Sequence, residues 1–185
     1  MSTIFVRRLT APSNSNLYYI KTTKGGYNKC IQIKPNGSVL PNCTGYAWGR
    51  YCEEQNIHDC KLSRGDAGNW YYKNDGYSRG RLPKLGAVIC WSKDGGAGHV
   101  AIVEEIYSNG KILTSNSAYN GSRFFKETLR PPNYSRGPRY HLQGFIYPDT
   151  NFIDPDTPIP TIETPKNKFK WVLYAKKFRN RNSIM

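Results

Sequence analysis

Three side chains in this sequence have the types and surroundings for nucleophilic chemistry: Cys43, His99 and Asn116. Cys43 lies in the run PNCTGYAWGR, residues 41–50, at the first turn of a helix expected over residues 41–55. Asn42 is a good N-cap, because its side-chain oxygen can accept from an otherwise orphan backbone N–H. A thiol is a poor nucleophile until it loses its proton. The positive end of a helix favours the thiolate, and a neighbouring imidazole completes the activation as a thiolate–imidazolium pair. A catalytic cysteine here therefore needs a histidine from elsewhere in the fold.

The histidines are unequal candidates. His99 follows Gly95-Gly96-Ala97-Gly98 and opens a second apolar strand, HVAIVEEIY, beside the run GAVICW. At the mouth of that strand its ring can reach the helix start, and the glycines leave room for a bulky ligand to approach the backbone. His58 falls in an expected loop, and His141 in an Arg/Tyr/Pro-rich stretch. A third polar group must hold the imidazole tautomer through its other nitrogen. If Asn109-Gly110 closes a hairpin, the far end of KILTSNS lies level with His99. That places Asn116 in the role, with Ser115 and Ser117 as alternatives. Glu104 and Glu105 are expected to face solvent.

Plainer readings compete at several of these positions. A lone cysteine on a small-residue helix is more often a buried hydrophobe than a nucleophile. Cys90, between Ile89 and Trp91, is read as core, and Cys30 carries no signal. Cys52, His58 and Cys60 form C-x5-H-x-C, which matches no zinc spacing and lacks a fourth ligand. No metal or cofactor is expected. Trp91, Tyr119 and Trp70 are candidate substrate-binding aromatics, with core positions as the alternative.

The positioning elements follow from pattern. Gly45 and Gly49 weaken helix propensity, so a close backbone approach, from a sheet, is expected on that face. Leu17–Ile20 reads as a short strand, Asn36-Gly37 as a hairpin turn, and Gly65–Tyr72 as a short helix with capping-box spacing from Ser63. Residues 86–91, 99–107 and 111–117 read as three strands, with weaker candidates at 122–128 and 144–147. Helices first and an antiparallel meander after make the fold class α+β. The domain runs over residues 1–147. A Pro/Thr-rich linker follows at 148–165, and a basic, aromatic tail at 166–185.

The chain has 27 Lys and Arg against 13 Asp and Glu, a net charge of +14. That field favours polyanions: nucleic acid, anionic lipid or an anionic cell wall. No apolar run is long enough for a transmembrane helix, and no signal peptide opens the sequence. The expectation is therefore synthesis in a reducing cytoplasm with free thiols, and export only through another protein or lysis. Cys52 and Cys60 could pair once outside.

In order, PNCTGYAWGR, GDAGNWY, PKLGAVICW, GAGHVAIVEE and ILTSNSAYNG resemble the CHAP domain, the cysteine, histidine-dependent amidohydrolase/peptidase family. The resemblance covers roughly residues 5–147 and is nearest to modules of phage lysins. It implies a papain-like α+β fold, with N-terminal helices packed on an antiparallel sheet, and hydrolysis of an amide bond in peptidoglycan. Cys43 matches the family nucleophile and His99 its base. Asn116 stands where Glu, Asp or Asn orients the imidazole. Some relatives bind calcium through acids just before the cysteine. Residues 34–41 hold none, so calcium is not carried over. The resemblance implies a Gram-positive wall as partner, in a free endolysin or with phage tail components. The rival class is a basic nucleic-acid or virion-structural binding protein without catalysis.

Overall fold

The computed structural model describes residues 2–19, 27 and 41–156. The expected hairpin at Asn36-Gly37, Cys30, and the linker and tail from residue 157 onward lie outside the described residues.

Helix α1 spans Cys43–Glu54, close to the expected bounds. Asn42 caps it as its type predicts: its Oδ1 accepts from the amides of Thr44 at 2.8 Å and Gly45 at 3.4 Å. Ala47, Trp48, Tyr51 and Cys52 face the sheet and are buried there. Gly49 is required, though not by a sheet. A Cβ there would stand 2.1 Å from the Tyr19 ring, so the N-terminal segment presses on this face. Leu17–Tyr19 is a 3-10 turn and not the expected strand, because Tyr19 is needed as a buried wedge on α1.

Strand β1 is Thr3–Ile4 and β2 is Arg79–Gly80. The main strands are β3 (Val88–Lys93), β4 (Gly96–Ile106), β5 (Ile112–Asn116), β6 (Phe125–Leu129) and β7 (Tyr140–Ile146), with β8 at Phe152–Ile153. Six of them form a sheet in the order β2-β7-β3-β4-β5-β6, antiparallel throughout. The expected meander holds from β3 to β6. The chain then returns, and β7 pairs with the free side of β3. An α+β fold with its helix on an antiparallel sheet is what the sequence pattern led to. The 3-10 helix Ala67–Tyr72 replaces the expected α-helical turn. Asp66 makes no side-chain cap bond there, so the Ser63 capping box does not form.

Alternation puts two clusters on the two sheet faces. Val88, Cys90, Val100, Ile102 and Ile146 meet α1 and Trp70. Ile89, Trp91, Ala101, Val103 and Phe145 lie under Tyr134 from the β6–β7 loop. Cys90 is core, as read. Phe152–Ile153 corrects the expectation of an unpacked linker from residue 148. These residues pair in parallel with Thr3–Ile4, Phe152 packs on Phe5 at 5.0 Å, and Arg7 Nη2 bonds Asp154 at 2.6 Å. Proline content hid a two-residue strand.

The other corrections concern charge and sulfur. Glu104 does not face solvent: it has no exposed surface. Its Oε1 accepts from Arg50 Nε at 2.9 Å and Ser115 Oγ at 2.6 Å, and its Oε2 from Arg50 Nη2 at 2.9 Å and the Arg8 amide at 2.8 Å. Cys52 and Cys60 form a disulfide, so not all thiols are free and neither sulfur can ligate zinc. His58 stacks on Tyr18 at 4.8 Å instead. Among the described residues no group of acidic, His and Cys side chains could hold a metal, and no helix is long and apolar enough to cross a membrane.

Candidate active site

Three elements converge at Cys43: the first turn of α1, the opening of β4 and the end of β5. The backbone amides of Val100, the residue after His99, and of Thr44 and Cys43 lie close enough to the Cys43 sulfur to favour its thiolate. Gly98, inside β4, lets the strand pass close to the 3-10 helix. Its φ is +80°, and a Cβ would stand 2.5 Å from the Gly68 nitrogen of the 3-10 helix. The glycine before His99 thus admits the chain's own backbone, not the ligand expected from the sequence.

His99 and Asn116 are paired directly. Nε2 of His99 lies 3.0 Å from Asn116 Oδ1, and both side chains are buried. Asn116 Nδ2 donates to Thr114 Oγ1 at 2.9 Å, and Thr114 Oγ1 donates to the Glu127 carbonyl at 3.1 Å. This chain assigns the orientation: the Asn116 amide points its oxygen at the ring, so Nε2 carries the proton. Nδ1 is then the basic ring nitrogen, the one able to accept a proton. Ser115 points to the other face, onto Glu104, and Ser117 Oγ bonds the Ser122 carbonyl at 3.4 Å. Neither alternative reaches the imidazole. His141 pairs with Asp94 at 3.0 Å on the surface, away from Cys43.

Burial pushes the Cys43 thiol up, against the amides of Val100, Thr44 and Cys43 that favour the thiolate. Burial also pushes His99 down, to about 3, helped by the Arg136 and Lys93 charges and opposed by the Asn116 bond. Both directions favour a neutral thiol beside a neutral imidazole. Burial thus works against the preformed ion pair that helix polarity alone suggested.

A stability prediction follows from this burial. An unfolded imidazole protonates near 6.5, whereas folded His99 stays neutral down to about 3. Between those values the unfolded chain binds more protons, so stability is full above the upper one and falls as pH drops toward the lower. Denaturant midpoints across that interval should decline with pH, and less steeply in His99→Gln. Equal slopes in the two proteins would refute the assignment to His99.

A cavity of about 340 Å³ opens beside the thiol, lined by Asn42, Cys43, Arg64, Asp66, Gly98 and Tyr119 among others. Tyr119 is 63% exposed and belongs to this rim. The other two expected substrate-binding aromatics do not. Trp70 and Trp91 have no exposed surface; their indole N–H groups donate to the carbonyls of Gly65 and Tyr134, both at 2.9 Å. The core reading wins for both, because each sits on a sheet-facing position. Sequence reasoning missed Arg64, whose guanidinium lies 5.3 Å from the Trp48 ring. An arginine in a loop has no periodic signal to mark it.

Residues 33–118, which carry Cys43, His99 and Asn116, match the family model of the CHAP domain. The matched stretch is just under half of the chain. A Staphylococcus aureus protein named "Probable autolysin LDP" is 34% identical over 113 residues, 59% of this chain and 39% of that protein. A crystal structure of an N-acetylmuramoyl-L-alanine amidase from Staphylococcus aureus is similar over 55% of this chain and 30% of its own, at 26% identity and a TM-score of 0.42. The chain spans well under half the length of either.

Proposed function

We propose that this chain is a cysteine-dependent peptidoglycan hydrolase that cleaves an amide bond of a Gram-positive cell wall. The bond is the N-acetylmuramoyl-L-alanine amide or one in the stem or cross-bridge peptide. The observation that carries the reading is the hydrogen-bonded His99–Asn116 pair, on a strand whose next residue, Val100, lies by the thiol at the N-terminus of α1. The CHAP-domain match and the autolysin relative support the substrate class.

The steps follow from the geometry. A carbonyl enters the cavity above Cys43. As the sulfur attacks, Nδ1 of His99 takes the thiol proton, and Asn116 Oδ1 steadies the imidazolium through Nε2–H. The oxyanion forms at the helix start, where the Cys43 amide is a donor. His99 then protonates the leaving amine, and the thioester remains on Cys43. Water, deprotonated by His99, hydrolyses it and frees the carboxylate.

The high positive charge suits a wall rich in anionic polymer. We place the protein as a lytic enzyme of phage origin, an endolysin or a tail-associated lysin, made in the host cytoplasm and acting at the wall after release or from a virion. A test is digestion of purified peptidoglycan followed by mass spectrometry of the fragments. New muramic-acid ends paired with free alanine amines would name the amidase bond, and new peptide ends an endopeptidase. Undigested sacculi with a salt-sensitive shift of DNA would sink the reading in favour of a nucleic-acid binder.

A further inference from the structure

The β6–β7 loop carries a cation that the steps above do not use. The Arg136 guanidinium lies over three aromatic rings, 5.6 Å from Trp91, 5.4 Å from Tyr140 and 5.9 Å from Phe125. Its Nε donates to Glu127 Oε2 at 2.7 Å, and its side chain is 13% exposed. Trp91 in turn packs against the His99 ring, with centroids 5.8 Å apart and planes tilted by 35°. Glu127 has a second task, since its carbonyl anchors the Thr114–Asn116 chain that fixes the imidazole. One residue of β6 therefore holds both the tautomer of His99 and the cation behind Trp91. A guanidinium keeps its charge at any working pH, and in a dry aromatic seat its field is weakly screened.

We propose that Arg136 is a positioning residue of the Cys43–His99 centre, acting through Trp91 and through its charge to keep the imidazole neutral and ease thiolate formation. The inference rests on Cys43 being the nucleophile. Other charged or titratable groups around the centre are Lys93 from β3, Arg64 and Asp66 on the cavity rim, and Glu127 from β6 against Arg136 itself. Asn116 on β5 is neutral, and α1 contributes backbone amides. Lys93 lies over the same Tyr140 ring at 5.2 Å. Arg136 acts on both partners in the sense proposed, lowering His99 and lowering Cys43 against the rise from burial.

The test is the pH dependence of iodoacetamide alkylation in the full chain, followed on the Cys43 peptide by mass spectrometry. Arg136→Met should move the apparent pKa of the Cys43 reaction up by about half a unit, slowing it about threefold below that pKa. Arg136→Lys should keep the wild-type profile, because the charge remains. Glu127→Gln should move the profile down, because the guanidinium loses its counter-charge. An unmoved profile in Arg136→Met overturns the proposal, as does an equal shift in Arg136→Lys. If Arg136→Met does not fold, Glu127→Gln decides: a downward shift supports the proposal, and an unchanged or upward one overturns it. A wild-type Cys43 no more reactive than Cys90 would sink the nucleophile reading itself, a distinct failure.

Discussion

Cys43→Ala should abolish release of soluble fragments from peptidoglycan while leaving the fold intact. The expected loss is about three orders of magnitude or more, the scale seen when a nucleophile that works as a unit with its base is removed. The fold should survive because Cys43 sits at the first-turn end of its core cluster, the change to alanine removes a single sulfur atom, and the cap bonds from Thr44 and Gly45 go to Asn42, not to the thiol. Turbidity clearing and far-UV circular dichroism separate the two effects. Full clearing by the alanine variant would end the case for a thiol enzyme. His99→Ala should lose a similar amount, and the double variant little more, since the pair acts together.

Arg50→Met should cost about 3–5 kcal/mol of folding stability, the range for removing one partner of a buried ion pair. Glu104 would keep its bonds from Ser115 and the Arg8 amide but lose both from Arg50. Its charge would stay in a site without solvent contact. Arg50→Met combined with Glu104→Leu should recover a large part of the loss, because no uncompensated charge remains. Urea midpoints at constant m-value measure this. A loss below about 1 kcal/mol in the single variant would show that water or Arg8, whose guanidinium already pairs with Glu53 and whose amide bonds Glu104, takes over the charge. The pair also joins the elements of the site: Arg50 lies on the helix of Cys43, Glu104 on the strand of His99, and Ser115 beside Asn116.

Much of the site was legible because its residues sit at element boundaries that sequence marks clearly. Asn42 caps a helix, and Asn109-Gly110 sets the hairpin that brings Asn116 to His99. Strand alternation placed Cys90 in the core correctly. The same pattern could have placed Trp91 there, whereas Trp70 lies on a 3-10 helix that strand alternation does not reach; the type of both suggested a binding groove. Glu104 looked solvent-facing because a carboxylate on a strand normally is; its arginine lies 54 residues earlier, a pairing no local pattern reveals. The neutral dyad was hidden for a similar reason. Helix polarity is read from a cap, whereas desolvation depends on everything that closes over the sulfur.

The sulfur chemistry sets a condition on handling this protein. Cys43 must stay reduced to attack a carbonyl, yet Cys52–Cys60 is closed and ties α1 to the segment leading into Arg64 and Asp66. A strong reductant frees that rim of the cavity, and a strong oxidant caps the nucleophile. The protein thus has a redox window, bounded on each side by a different pair of electrons, within which storage keeps it both assembled and competent.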